Sequence, residues 1–300
     1  MFPSGSPDAT ADADAATDDD LDEIEVTPVR PALSVAIAVF AGLVGVGLIF
    51  GAQSTSPGAR GPFALVLAGV QVLYVLAWLM ATRPPVPLVM GGICLAVAGW
   101  SDFSAMGGGE PGLGMLALIA LVGVVAAVAA QAVRPDDRRQ ISESLRATLL
   151  LVVGVVAIAS LIVLSRIPLG TQVIFLSVVA SAVALMVARL LDAVYPKPRL
   201  APQVPRGAAG VILGAMVGTL LSAVIGSYLY TFSPSSAAMV GLVTATVAVL
   251  ADLAADWAEV GRQMAGDPPT LWVARHMQGP LAGFAIAAPA AYVMTVLFLT

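Results

Sequence analysis

Three carboxylates, Asp252, Asp256 and Glu259, follow one another at i, i+4 and i+7. On a helix that spacing sets all three on one face. Arg262, Asp267 and Arg275 come next, and then His276, the only histidine in the chain. Grouped carboxylates beside an imidazole can hold a divalent cation or move a proton, and grouped arginines can hold a phosphate. Almost everything around residues 252–276 is hydrocarbon, so charge kept here either does chemistry or is a remnant of it.

The elements that position this stretch follow from composition. The chain is 59% hydrophobic and 11% charged, and its mean hydropathy is +0.94. A soluble domain carries about a quarter charged residues, so this is the composition of a polytopic membrane protein. A bilayer core takes about 20 apolar residues per helix. Nine segments meet that length: 33–51, 62–82, 85–101, 112–133, 145–165, 168–191, 208–231, 236–256 and 279–299. Open sheets leave unsatisfied edges in lipid, and the alternating segments of a β-barrel do not occur. The expected fold is an all-α polytopic membrane helical bundle spanning residues 32–300.

Residues 1–31 are predicted to be a disordered acidic tail, because they hold almost no large apolar side chains. They lack the basic start of a signal peptide. Nine of the 19 acidic residues lie in 8–25, so the net charge of −5 describes the tail. Residues 31–300 carry 13 basic and 10 acidic residues.

Basic residues set the orientation. The tail and the even-numbered connections hold twelve of the 14 basic residues, from Arg30 through Arg134 to Arg275; only Arg60 and Arg166 fall on the other side. The N-terminus is therefore expected in the cytoplasm and the C-terminus outside, in a bacterial-type inner membrane. Membrane lipids are the expected partners, with a membrane-protein partner or a homodimer open and nucleic acid excluded.

Asp252 lies 16 residues into the eighth span, about 24 Å at 1.5 Å per residue, near the cytoplasmic interface. A charge at the bilayer centre costs roughly 2.5–3.5 kcal/mol and less toward the interface. Asp252 can thus be a ligand contact or a wet helix end, while Asp256 and Glu259 are expected to be solvated. The lone Cys94 excludes an internal disulfide and reads as core. Gly107-Gly108-Gly109 is followed by Glu110 and Pro111 rather than by Lys and Ser or Thr, so residues 102–111 read as a turn, not a phosphate loop. Gly210, Gly214, Gly218, Ser222 and Gly226 form a smooth ridge that can pack against a helix or line a lipid groove.

The stretch Lys197-Pro198-Arg199-Leu200-Ala201-Pro202-Gln203-Val204-Pro205-Arg206 resembles the basic-Leu-Ala-Pro connection of the CDP-diacylglycerol synthase (phosphatidate cytidylyltransferase) family. Asp252-Leu253 resembles that family's Gly-Asp-Leu. Ala287-Ala288-Pro289 and Tyr292 fall at its spacing, and the Phe63 to Trp78 span resembles its Trp-containing helix. The likeness covers most of residues 33–300 and is specific only in the Leu-Ala-Pro element and the last 50 residues. It implies an active site at Asp252, Asp256, Asp267 and His276, with Mg²⁺ carrying the CTP triphosphate if the protein is active. Arg199, Arg206, Arg262 and Arg275 share the expected cytoplasmic face, where they can contact an anionic lipid head group or simply snorkel to the interface.

The departures from the family are many. Gly279, Pro280 and Ala282 stand where the family has Asp-Arg-x-Asp. His276-Met277-Gln278-Gly279 replaces His-Gly-Gly, and Asp267 stands without the lysine of Lys-Asp. Gly207-Ala208-Ala209 replaces Lys-Thr-Trp-Glu, and no acid lies between Thr171 and Leu191. Transfer from CTP joins two anions, so metals supply several kcal/mol of its catalysis, and Asp252 alone is a weak metal ligand. The expectation is a degenerate site with no cofactor and a lipid-binding, partner-binding or regulatory role in phospholipid or envelope metabolism. The alternatives are an active cytidylyltransferase with a rearranged metal site, rescued by Asp256 and Asp267, and a small-solute or lipid transporter.

Overall fold

The computed structural model describes residues 28–55, 59–84, 86–132, 138–266 and 270–299. The acidic tail up to residue 27, Arg134 and Asp267 lie outside the described residues. Among the described residues the chain forms α1 (Pro31–Gln53), α2 (Gly61–Thr82), α3 (Pro87–Met106), α4 (Gly114–Ala132), α5 (Arg138–Leu164) and α6 (Gly170–Val194). A two-stranded hairpin follows, β1 (Arg199–Ala201) and β2 (Val204–Gly207), then α7 (Ala208–Tyr228), α8 (Pro234–Met264) and α9 (Trp272–Phe298). All nine helices are long and apolar enough to cross a membrane.

Their starts have local causes. Proline lies in the first turn of α1, α2, α3 and α8, where its fixed φ suits a helix and its missing N–H costs nothing. Ser233 caps α8, its hydroxyl accepting from the Ser236 N–H at 3.1 Å. The ends differ from the hydropathy spans. Helix α3 continues to Met106, so Asp102 is a buried helical residue and the turn begins only at Gly107. Helix α8 runs to Met264, and α9 starts at Trp272 with Arg275 and His276 already helical.

Helices α5 and α6 are the most buried, α4 and α7 the least. Helix α6 packs against α1, α7 and α8, and α9 against α8, α5 and α2. The small-residue ridge of α7 is its only buried side. It lies on α6 so closely that a Cβ on Gly214 would stand 2.5 Å from the Ala184 carbonyl, and one on Gly218 2.5 Å from that of Ala180. Of the two roles open to that ridge, the contact with α6 is the one seen.

A second polar contact ties α2, α3 and α5. Gln71 Nε2 donates to Asp102 Oδ1 at 2.9 Å and to the Val155 carbonyl at 3.0 Å. Tyr74 Oη donates to the Leu150 carbonyl at 2.9 Å. Arg166 donates to the Ala105 and Gly109 carbonyls, closing the end of α3.

Candidate functional site

The last turns of α6, the hairpin, and the adjoining parts of α8 and α9 meet in one charged cluster. Helix α6 brings Arg189 and Asp192, one turn apart, and β2 brings Arg206. Helix α8 brings Asp252 and Asp256. The register β1–β2 pairs Arg199 with Gly207 and Ala201 with Val204, which turns Arg206 inward. Its side chain is the largest among the fully buried ones.

Asp252 has no solvent exposure and two guanidinium partners. Its Oδ1 lies 2.5 Å from Arg189 Nη2 and its Oδ2 2.6 Å from Arg206 Nη1. Asp256, one turn later, meets the same two arginines at 3.1 Å and 3.0 Å. Asp192 Oδ2 faces Arg206 Nε at 2.6 Å, and its Oδ1 accepts the Gly207 N–H at 2.8 Å. Arg206 therefore joins carboxylates from α6 and α8 to the strand that carries it. Helix α9 closes the cluster with Gly279. A Cβ there would overlap the Asp252 carboxylate and stand 3.1 Å from Arg189 Nη2.

A second group sits one to two turns further along α8. Glu259 accepts from Arg262 at 2.5 Å, from Arg275 at 2.7 Å and from Gln263 at 2.9 Å. Arg262 also reaches the buried Gln278 Oε1 at 3.4 Å. His276 is half-buried and its ring lies 6.2 Å from that of Trp272. Across the two groups four arginines face four carboxylates.

Two sequence expectations are corrected. Asp256 and Glu259 were expected to be solvated; each is held by two arginines, with 17% and 16% of its side chain exposed. Arg206 was expected at a head-group surface, and it is enclosed at 0% exposure. Of the other candidates, Asp252 and Asp256 come together, Arg262 and Arg275 share Glu259, His276 lies one turn before Gly279 on α9, and Arg199 stays partly exposed at the start of β1. Arg189 and Asp192 are the members that sequence reasoning passed over. Asp192 falls one residue beyond the interval searched for an acid, and the i, i+3 pair at the polar end of α6 was the available signal.

The hydrogen bonding left over in the cluster is uneven. Every oxygen of the four carboxylates has a cationic or N–H partner. Arg206 Nε and Asp192 Oδ2 face each other at 2.6 Å as an ion pair without hydrogen-bond geometry; Arg189 Nε, Arg206 Nη2, Arg275 Nε and Gln278 Nε2 are buried donors with no acceptor among the described residues. Buried polar groups of this kind cost about 1–3 kcal/mol each when unmet. The cluster thus has spare capacity for acceptors.

Comparison of the chain with protein-family models, with curated proteins and with solved structures finds no match.

Proposed function

We propose that this chain is a non-catalytic, lipid-binding multi-pass protein of a bacterial-type inner membrane, a divergent relative of the CDP-diacylglycerol synthases whose nucleotide–metal site has become an internal clasp. The observation that carries this reading is the polarity of the unmet groups. Setting aside Arg206 Nε and Asp192 Oδ2, which face each other as an ion pair at 2.6 Å, the unmet groups of the cluster are all donors, while both oxygens of Asp252 rest on guanidiniums.

Mg²⁺ asks for the reverse, oxygen ligands at near-ideal octahedral positions. A divalent cation on Asp252 would stand against Arg189 and Arg206, so this donor set does not suit it. Among the described residues, no three His, Cys, Asp or Glu side chains group as a metal site. Buried donors suit an anion, and charge-assisted bonds from arginine favour a phosphate. Arg206 and Arg189 sit too deep to receive one directly. Arg275, toward the rim with Arg262 and His276, is the group we assign to an anionic lipid head group.

The family relation draws support from convergence: the Leu-Ala-Pro stretch forms the hairpin that delivers Arg206 to Asp252. In the orientation we propose, with the N-terminus cytoplasmic, the cluster faces the cytoplasmic leaflet.

Purified protein incubated with phosphatidate, labelled CTP and Mg²⁺ tests the reading. We expect no CDP-diacylglycerol. In the same preparation, phosphatidate binding followed by native mass spectrometry should weaken about tenfold in Arg275→Ala, the loss of one charge-assisted hydrogen bond of about 1.4 kcal/mol. Product that appears with the wild type and vanishes in Asp252→Ala would overturn it in favour of an active cytidylyltransferase.

A further inference from the structure

Along the outer side of α7 and α8 runs an apolar groove of about 590 Å³. It extends from Val211 to Ala223 on α7 and from Ala238 to Leu250 on α8. The two helices run in opposite senses, so Val211 and Leu250 share one end. Leu250 and Asp252 are two residues, about 200° of helix, apart, so the groove and the charged cluster lie on opposite flanks of α8. Its walls are small or aliphatic side chains with two hydroxyls, Thr219 and Thr246. Thr219 already donates to the Ala215 carbonyl at 2.8 Å.

We propose that this groove holds one acyl chain of a bilayer phospholipid whose phosphate lies at the hairpin end. Size is the first ground. Twelve residues of helix make the groove about 18 Å long, and its volume spread over that length makes it long and narrow. A single extended hydrocarbon chain, far slimmer than a helix of about 10–12 Å across, suits that shape.

Depth is the second ground. The hydrocarbon core is about 30 Å thick, so an 18 Å groove serves little more than one leaflet. A helix of a second copy would use the full thickness. The third ground is which end is polar. The Val211 and Leu250 end adjoins the hairpin, where Lys197 is exposed. Trp257, exposed and seven residues beyond Leu250, stands on the same helix face, and exposed indole rings favour the membrane–water interface. The opposite end, at Ala223 and Ala238, is reached before the exposed Tyr228 and Tyr230 that mark the other interface.

This proposal shares with the preceding reading that the protein binds lipid, but it uses different residues, and the two can fail separately. The test uses the full chain in vesicles of phosphatidylethanolamine containing phosphatidylglycerol with a diazirine on one acyl chain. After illumination, adducts should concentrate on the segments 211–223 and 238–250. The detergent-purified protein should retain one phospholipid by native mass spectrometry. Ala215→Phe, which fills the groove, should lower that retained fraction at least tenfold, while Leu118→Phe on the exposed face of α4 should leave it unchanged. Adducts spread evenly over the lipid-facing helices would overturn the proposal. So would a wild type that retains no lipid, or Ala215→Phe converting a dimer to a monomer. Should Ala215→Phe fail to fold, the wild-type adduct map decides alone.

Discussion

Asp252 concentrates the energetics of the cluster in one side chain. It neutralises two guanidiniums that have no exposure of their own to speak of. Removing one partner of a buried ion pair leaves the other uncompensated, at about 3–5 kcal/mol. Asp252→Asn should therefore destabilise the protein by that amount, with Asp256→Asn costing less because Asp256 is partly exposed and its contacts are longer. The chain carries its own reporter. Cys94 is the single cysteine and is fully buried, so a thiol-reactive fluorophore labels it only as α3 opens. Asp252→Asn should bring labelling on at a lower temperature than Asp256→Asn, and equal onsets would refute the ranking. At the other polar contact, Gln71→Leu removes the donor shared by Asp102 and the Val155 carbonyl. That should cost about 1–3 kcal/mol, read by the same labelling.

Much of this was visible in the sequence at single residues, and the gaps have physical causes. Asp252 and Asp256 stood out because charge in hydrocarbon is conspicuous. Their partners did not, because Arg189 and Arg206 lie 63 and 46 residues away in sequence, and periodicity carries no information about distant pairing. Asp102 was assigned to a turn because a hydropathy span ends where charge begins. The backbone hydrogen bonds of α3 continue past that point, and Gln71 on another helix satisfies the carboxylate.

At the scale of elements, nine spans were legible because a window of about 20 apolar residues has few other solutions. The hairpin was not. Its strands are three and four residues long, and Pro198, Pro202 and Pro205 break any strand pattern. It holds because Arg206 is anchored on both sides. The ridge of α7 was legible as a ridge, though which of its two roles it takes was settled only by the contact with α6. That contact makes a sharp prediction. A Cβ on Gly214 or Gly218 would meet a carbonyl of α6 at 2.5 Å, and backbone cannot rotate away as a side chain can. Gly214→Ala should cost about 1–3 kcal/mol as overpacking and lower the temperature at which Cys94 is labelled. Gly69→Ala in α2, where a Cβ meets nothing within 4 Å, should be neutral or stabilising, since alanine is the better helix former. Equal effects at the two sites would show that the ridge does not set the α6–α7 distance.

The whole molecule joins these observations through the sidedness of its charge. The hairpin, the ends of α6 and α8 and the start of α9 gather at one end of the bundle, where the four arginines of the cluster lie. Arg166 lies at the other end, on the carbonyls that close α3. Positive charge retained on one side is the mark of a cytoplasmic face. Here the bias has a second role, because the same arginines neutralise the carboxylates of α6 and α8. An inverted molecule would have to carry that clasp across the bilayer during insertion. The orientation is therefore predicted to be single rather than dual. In a Cys94→Ala background, Lys197→Cys on the hairpin should react with a membrane-impermeant maleimide only in inside-out vesicles. Ser235→Cys, exposed at the start of α8, should react only in intact cells stripped of their outer barrier. The reverse pattern would place the cluster outside, away from cytoplasmic CTP and from the leaflet in which we set its lipid. Labelling of both positions in both preparations would mean mixed orientations, and the charge bias would then serve the clasp alone.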